Sequence, residues 1–163
     1  MMNAGEGSPA ELAEAVVASM LARDAFTRWM GAELVAVRAG HCTLRMRVRE
    51  DMLNGFGVAH GGIAFSLADS AMAFACNSTG RVTVAVDNSV SYPAAIRLED
   101  ELVAIAEEES ATNRLAFYRV SVRRQDDTIV ALFRGTVYRT QRLHETEDRD
   151  LSTPGRTEHD EHD

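Results

Sequence analysis

Two features in one stretch of the chain have the makings of a reaction centre. The run Asn54-Gly55-Phe56-Gly57-Val58-Ala59-His60-Gly61-Gly62 ends on a glycine pair that opens a helical pattern. Glycine at a helix start costs backbone entropy, and it is useful where a ligand must approach the main chain closely. The first helical turn also carries unpaired N–H groups and the positive end of the helix dipole, which can hold an oxyanion or polarise a carbonyl. A packing or turn requirement accounts for the glycines equally well. The second feature is Asp69, flanked by Leu67 and Ala68 on one side and by Ala71, Met72 and Ala73 on the other. A bare carboxylate is expensive to bury. Asp69 therefore either reaches solvent or an ion-pair partner, or it is kept for a purpose, in which case desolvation raises its pKa.

Spacing ties the two features together. Gly61 and Asp69 are eight residues apart, about 12 Å along a helix axis. An Asp side chain does not close that gap, so the Gly61 amide and Asp69 of one chain do not act on the same carbonyl. If both are catalytic, they come from different subunits. A two-fold dimer with two such helices antiparallel would bring Gly61 of one beside Asp69 of the other, twice. An obligate dimer is the consequence.

The elements that must position these residues follow from periodicity and punctuation. Ser8 is a candidate N-cap, with Pro9 at the first helical position and Glu11 in the acidic first turn. Leu12, Val16, Met20 and Leu21 continue at helical spacing toward Phe26 and Met30. Residues 33–37 form a short strand, Ala39-Gly40 a turn, and 42–49 a second strand. In that strand Cys42, Leu44, Met46 and Val48 alternate with Thr43, Arg45, Arg47 and Arg49. Residues 50–60 read as a loop. From Gly61 to about Ser78 apolar residues go most of the way round, the mark of a buried helix. Four strands follow, at 82–91, 101–109, 115–123 and 129–139. A predominantly antiparallel sheet wrapped around one long helix, with an extra N-terminal helix, is the economical α+β arrangement. The domain runs from 9 to 140, between a disordered terminus (1–8) and a disordered acidic tail (141–163). His144, His159 and His162 fall in that tail, as solvated residues or as loose metal ligands.

Bulk properties exclude several classes. A net charge of −8 argues against a broad nucleic-acid footprint. Much of the acid sits after position 144, so the body can still carry a local basic patch for a phosphorylated ligand. Cys42 and Cys76 lie far apart in apolar surroundings and read as buried free thiols of a reducing cytosol. No secretory signal is evident. No apolar run approaches the roughly 20 residues that span a bilayer. The expected setting is cytoplasmic, without membrane association.

The run His60-Gly61-Gly62-Ile63-Ala64-Phe65-Ser66-Leu67-Ala68-Asp69, followed by Ala75-Cys76-Asn77-Ser78, closely resembles the hotdog-fold thioesterases of the phenylacetic-acid-degradation (PaaI) type. Ser91-Tyr92-Pro93-Ala94 and Val130-Ala131-Leu132-Phe133-Arg134-Gly135 also match that family, and the similarity covers about 25–140. The resemblance implies an acyl-CoA thioesterase with a dimer-interface site, commonly a dimer of dimers, and neither metal nor organic cofactor. It implies that Asn54 orients the lytic water or the thioester and that His60 shapes the carbonyl-binding loop. In the same way Gly61 supplies the polarising amide, and Asp69 acts as general base or nucleophile. The chain departs from part of the family at Ala73, where a Ser or Thr one turn after the acid holds the water. Contacts to the CoA phosphates are not tightly fixed in the family. Arg97, Asn113 and Arg114, at strand ends, are candidates for them or plain surface residues.

Two other functions remain open on the sequence. A hotdog hydratase or dehydratase would pair His60 with Asp69, and a non-catalytic acyl-CoA-binding module would have little need of a buried acid. The acyl group is not legible. Met52, Leu53, Phe56 and Met72 either line an apolar pocket or pack the core, and an aryl group such as phenylacetyl rests on family analogy alone.

Overall fold

A computed structural model describes residues 7–145. The first helix, α1 (Pro9–Arg23), opens on a full capping box: Ser8 Oγ accepts from Glu11 N, and Ser8 N donates to the Glu11 carboxylate. The apolar pattern that reads as one helix toward Met30 is broken at Asp24. Its extended backbone ends α1, and its carboxylate accepts from Thr27 N at 2.9 Å to start α2 (Ala25–Met30). A short polar side chain that bonds the following backbone competes with helix continuation, and period alone does not show this. Gly31, at φ 72°, then turns the chain out of α2.

The remaining elements are β1 (Glu33–Arg38), β2 (His41–Arg47), a single 3₁₀ turn (Glu50–Met52), α3 (Gly61–Asn77), β3 (Arg81–Ser91), β4 (Glu101–Ala111), β5 (Leu115–Arg124) and β6 (Ile129–Leu143). They form one antiparallel six-stranded sheet in the order β1-β2-β4-β5-β6-β3. β3 does not pair with β2, because α3 carries the chain across the sheet to its far edge beside β6. The alternation in β2 holds, with Cys42, Leu44 and Met46 buried against α3.

The sheet curls around α3, whose Leu67, Ala68, Ala71, Met72, Phe74 and Ala75 are fully buried. Tyr118, Phe133 and Leu102 supply the bulk facing them, and Phe65 meets Phe133 edge to face at 5.4 Å. Each large side chain buried this way contributes about 1.5–3 kcal/mol. That suffices to bury a helix whose own polar residues are few.

The domain does not stop at Thr140. β6 continues to Leu143, which pairs with Arg81, and His144 N donates to Gly80 O. His144 is not a solvated tail residue: its Nε2 donates to Asn77 Oδ1 at 2.7 Å, beside the last turn of α3. Charged residues such as Arg139 and Arg142 conceal a strand whose backbone pairs with β3. His159, His162 and the rest of the expected tail, like residues 1–6 of the expected N-terminal segment, lie outside the described residues. No helix among the described residues is long and apolar enough to cross a membrane.

Candidate active site

The loop before α3 is built by Asn54. Its side-chain oxygen accepts from Phe56 N at 2.9 Å and Val58 N at 3.4 Å, while its own N–H donates to Val58 O at 2.8 Å. Asn and Gly suit such a turn for these reasons, and Gly57 takes the left-handed φ of 74° that it needs. A bridge between Leu53 and Ala59 closes the loop at its base. The Asn54 carboxamide oxygen is thus committed to the loop, and its nitrogen donates to none of the described residues.

His60 is the N-cap of α3. Its Nδ1 accepts from Gly62 N at 3.0 Å, and its carbonyl accepts from Ile63 N. The Gly61 N–H between them has no acceptor among the described residues. Of the first three amides of α3, it is the one left pointing away from the chain's own acceptors. Tyr92, just past β3, fixes the other side of the same residue, its hydroxyl donating to Gly61 O at 3.0 Å. A Cβ on Gly61 would lie 3.3 Å from the Tyr92 ring, a tighter approach than an alanine accommodates without movement. Tyr92 lay in a family-matching motif, but its contact with Gly61 is invisible without the fold.

Asp69 sits two turns further along α3 and is half-buried. Burial pushes its carboxyl above the usual Asp range, and a hydrogen bond from Asn88 Nδ2 at 3.0 Å partly opposes this. No cation pairs with it among the described residues. Ser70 beside it is turned away and bonds Thr27 of α2 at 2.8 Å. Ala73, one turn on, offers no hydroxyl.

The structure gathers Asn54, His60 and Gly61 at one end of α3 and leaves Asp69 along the same helix, well short of reach. Arg97 is at the Gly61 end, since its neighbour Ile96 accepts from Ala59 N at 2.8 Å. Asn113 and Arg114 are not there. They form the β4–β5 turn at the opposite end, where Asn113 O accepts from Arg81 beside the C-terminus of α3. The three CoA candidates are therefore not one cluster within a chain. Met52 and Met72 are 2% and 1% exposed and belong to the core, whereas Phe56 is 93% exposed at the loop tip. Two surface depressions, one at Arg38, Gly40 and Thr79 and one on the outer sheet face at Ser89, Leu132 and Arg134, include neither Gly61 nor Asp69. Among the described residues no group of His, Cys, Asp or Glu is placed to hold a metal ion.

Known proteins share this fold and much of this sequence. The profile of the thioesterase superfamily matches residues 56–131, from the loop tip through the start of β6. The acyl-coenzyme A thioesterase PaaI of Escherichia coli is 34% identical over 121 residues, which are 74% of this chain and 86% of that one. The solved structure of the E. coli PaaI protein superposes with a TM-score of 0.82 at 32% identity, covering 83% of this chain and 99% of that one. A hypothetical thioesterase from Streptococcus pneumoniae, solved with coenzyme A, superposes with a TM-score of 0.67 at 26% identity, covering 69% and 88%. With its helix-wrapping sheet, its glycine-opened helix and its matching relatives, the chain belongs to the thioesterase superfamily, among the hotdog-fold thioester hydrolases of the PaaI type.

Proposed function

We propose that this protein hydrolyses acyl-CoA thioesters to free acid and CoA, at two equivalent sites each built by two subunits. The observation that carries the reading is one helix bearing both an N-terminal amide, Gly61 N–H, and a half-buried carboxylate, Asp69, with neither an acceptor for the one nor a cation for the other among the described residues. The two are separated by about 12 Å of helix. The thioester carbonyl would sit on Gly61 N–H, where the helix N-terminus favours the developing oxyanion. Asp69 of the second subunit would remove a proton from water as it adds to that carbonyl, or would itself attack to form a mixed anhydride that water then cleaves. Either way the C–S bond breaks and CoA leaves as the thiol; the acid's new oxygen comes from water in the first route and from Asp69 in the second, where water cleaves the anhydride at the Asp69 carbonyl and replaces the oxygen it gave up.

Two further features support the shared site. β3 is an edge strand, and its Val84 and Val86 are 49% and 57% exposed. An apolar edge of this kind is a template for pairing with a second copy. The position of Asn113 and Arg114 beside the C-terminus of α3, the end opposite Gly61, also suits a pair of antiparallel helices, which brings one subunit's turn toward the other's Gly61. A dimer of such dimers is the expected assembly. The hydratase alternative loses ground because His60 Nδ1 accepts from Gly62 N–H, which puts the neutral ring's proton on Nε2 and leaves the ring no free basic nitrogen.

The test is thiol release across a panel of aliphatic and aryl acyl-CoA substrates, with Asp69→Ala as control. We expect the variant to remain folded and to lose about a hundredfold or more in kcat. Near-wild-type turnover would remove Asp69 from the mechanism, and binding without thiol release by the native protein would replace hydrolysis with a carrier role. Single turnover in ¹⁸O-water separates the two chemical routes by whether label enters Asp69.

A further inference from the structure

One polar side chain beside Asp69 has no role in the mechanism above, and three independent features of the fold converge on it. Asn88 lies on β3 opposite Gly135 of β6. Its Nδ2 donates to Asp69 Oδ1 at 3.0 Å, while its Oδ1 is buried with no partner among the described residues. The second feature is a bulge. Ala85 pairs with the buried Val137, but Asp87 pairs with Thr136, so Val86 is an extra residue in β3. Straight pairing from Ala85 would have set Asp87 opposite Gly135 and aimed a second carboxylate at Asp69. With the bulge, Asp87 is exposed and Asn88 takes the inward place. Re-aiming one side chain is what a bulge does, because it inverts the strand's alternation from that point on. The third feature is Gly135. A Cβ there would lie 2.1 Å from Met72 Sδ and 2.9 Å from Asn88 Oδ1, so a side chain opposite Asn88 would press on both.

We propose that Asn88 is a positioning residue for Asp69. Its amide holds one carboxylate oxygen, so that the other, Oδ2, faces the reacting carbonyl. The bulge at Val86 turns that amide inward, and the absent side chain at Gly135 leaves room for it beside Met72. The proposal rests on Asp69 being the acid of the reaction. A chain that lacks the hydroxyl at Ala73 thereby orients the acid itself rather than the water beside it. The hydrogen bond also favours the ionised carboxylate and partly offsets its desolvation. Other titratable groups near this face do not supply that service. Cys76, two turns further along α3, is a neutral thiol pushed up to about 12 by burial. Glu108 of β4 is bonded to Tyr118 of β5, and Asp24 is bonded to Thr27 on α2. None of them is a cation.

The experiment is the pH profile of kcat/KM for Asn88→Leu, near-isosteric but without the amide, and for the smaller Asn88→Ser. The acidic limb should move up by about one pH unit, so that roughly tenfold is lost below it while KM changes less than about twofold. A limb that stays in place, whether the plateau is unchanged or uniformly lowered, overturns the proposal. Asp69→Asn is run beside them. If it still turns over, the underlying reading of Asp69 fails. If it is inactive and the Asn88 limb has not moved, only the present proposal fails. A measurement on the native protein covers the case in which neither Asn88 variant folds. The side-chain ¹⁵NH₂ signals of Asn88 should titrate with the same apparent pKa as the limb, and a flat response overturns the proposal as well.

Discussion

Gly135→Ala places one methyl group between β6 and the buried helix α3. The added Cβ would lie 2.1 Å from Met72 Sδ and 2.9 Å from both Met72 Cε and Asn88 Oδ1. Ordinary contact starts near 3.4 Å, so the sulfur has to retreat by about an ångström or more. Met72 is 1% exposed, between Asp69 and Ala75 on the buried helix, so its sulfur moves only by displacing packed neighbours. Overpacking of this kind costs about 1–3 kcal/mol, and a clash this close belongs at the upper end. Removing a strand glycine returns roughly 0.5–1 kcal/mol of backbone entropy, so sterics win and the net loss is about 2 kcal/mol. For a chain of this size that lowers the thermal midpoint by about 4–8 °C. The assay is calorimetric or circular-dichroism melting at fixed protein concentration, because association shifts the midpoint. Gly55→Ala is the control, since a Cβ there meets nothing within 4 Å, and it should stay within about 0.5 kcal/mol of wild type. Combining Gly135→Ala with Met72→Ala should recover about 1 kcal/mol or more relative to additivity, because the new methyl then enters the space the sulfur left. An unchanged or raised midpoint for Gly135→Ala alone would refute the packing argument, and with it the steric part of the case for Asn88.

Two further outcomes are expected. Cys42 and Cys76 are buried thiols pushed up to about 12, so at pH 8 neither should react with an aromatic disulfide reagent on the timescale of a free thiol, and both should react in denaturant; prompt native labelling of either would show that the core opens. His144 is held below the ordinary His value by burial, with Arg23 adding to the effect. A folded pKa below the unfolded one means that His144's contribution is present above the unfolded pKa, near 6.5, and is lost as pH falls toward the folded value. His144→Gln should therefore narrow its stability gap to wild type between pH 7 and pH 5. It should cost about 1 kcal/mol at pH 8 through the lost bond to Asn77; urea melts at those pH values check both, and a gap independent of pH contradicts the assignment.

Much of this protein is legible before it folds. The period-two run of β2, the all-round apolar helix and the order of elements define an antiparallel sheet around one helix, because burial is a property of side-chain type and spacing. The distance between Gly61 and Asp69 is legible too, since helical rise converts residue count directly into length. So is the capping box at Ser8 and Glu11, which is local in sequence. The features that went unread depend on partners remote in the chain. The break at Asp24 turns on one side chain outcompeting the helix. The continuation of β6 to Leu143 exists because β3 is there to pair with it. Asn113 and Arg114 look like companions of Arg97 until strand direction sends them to the other end of the sheet. Asn88 could not have been found by alternation, because the bulge at Val86 inverts the alternation that a reader would use, and Gly135 gains its meaning only with Met72 and Asn88 packed over it. Composition and period determine what must be buried and how far apart two groups on one helix lie. Which side chain faces Asp69 was decided by strand register, a tertiary quantity set by pairing across 47 residues from Asn88 to Gly135.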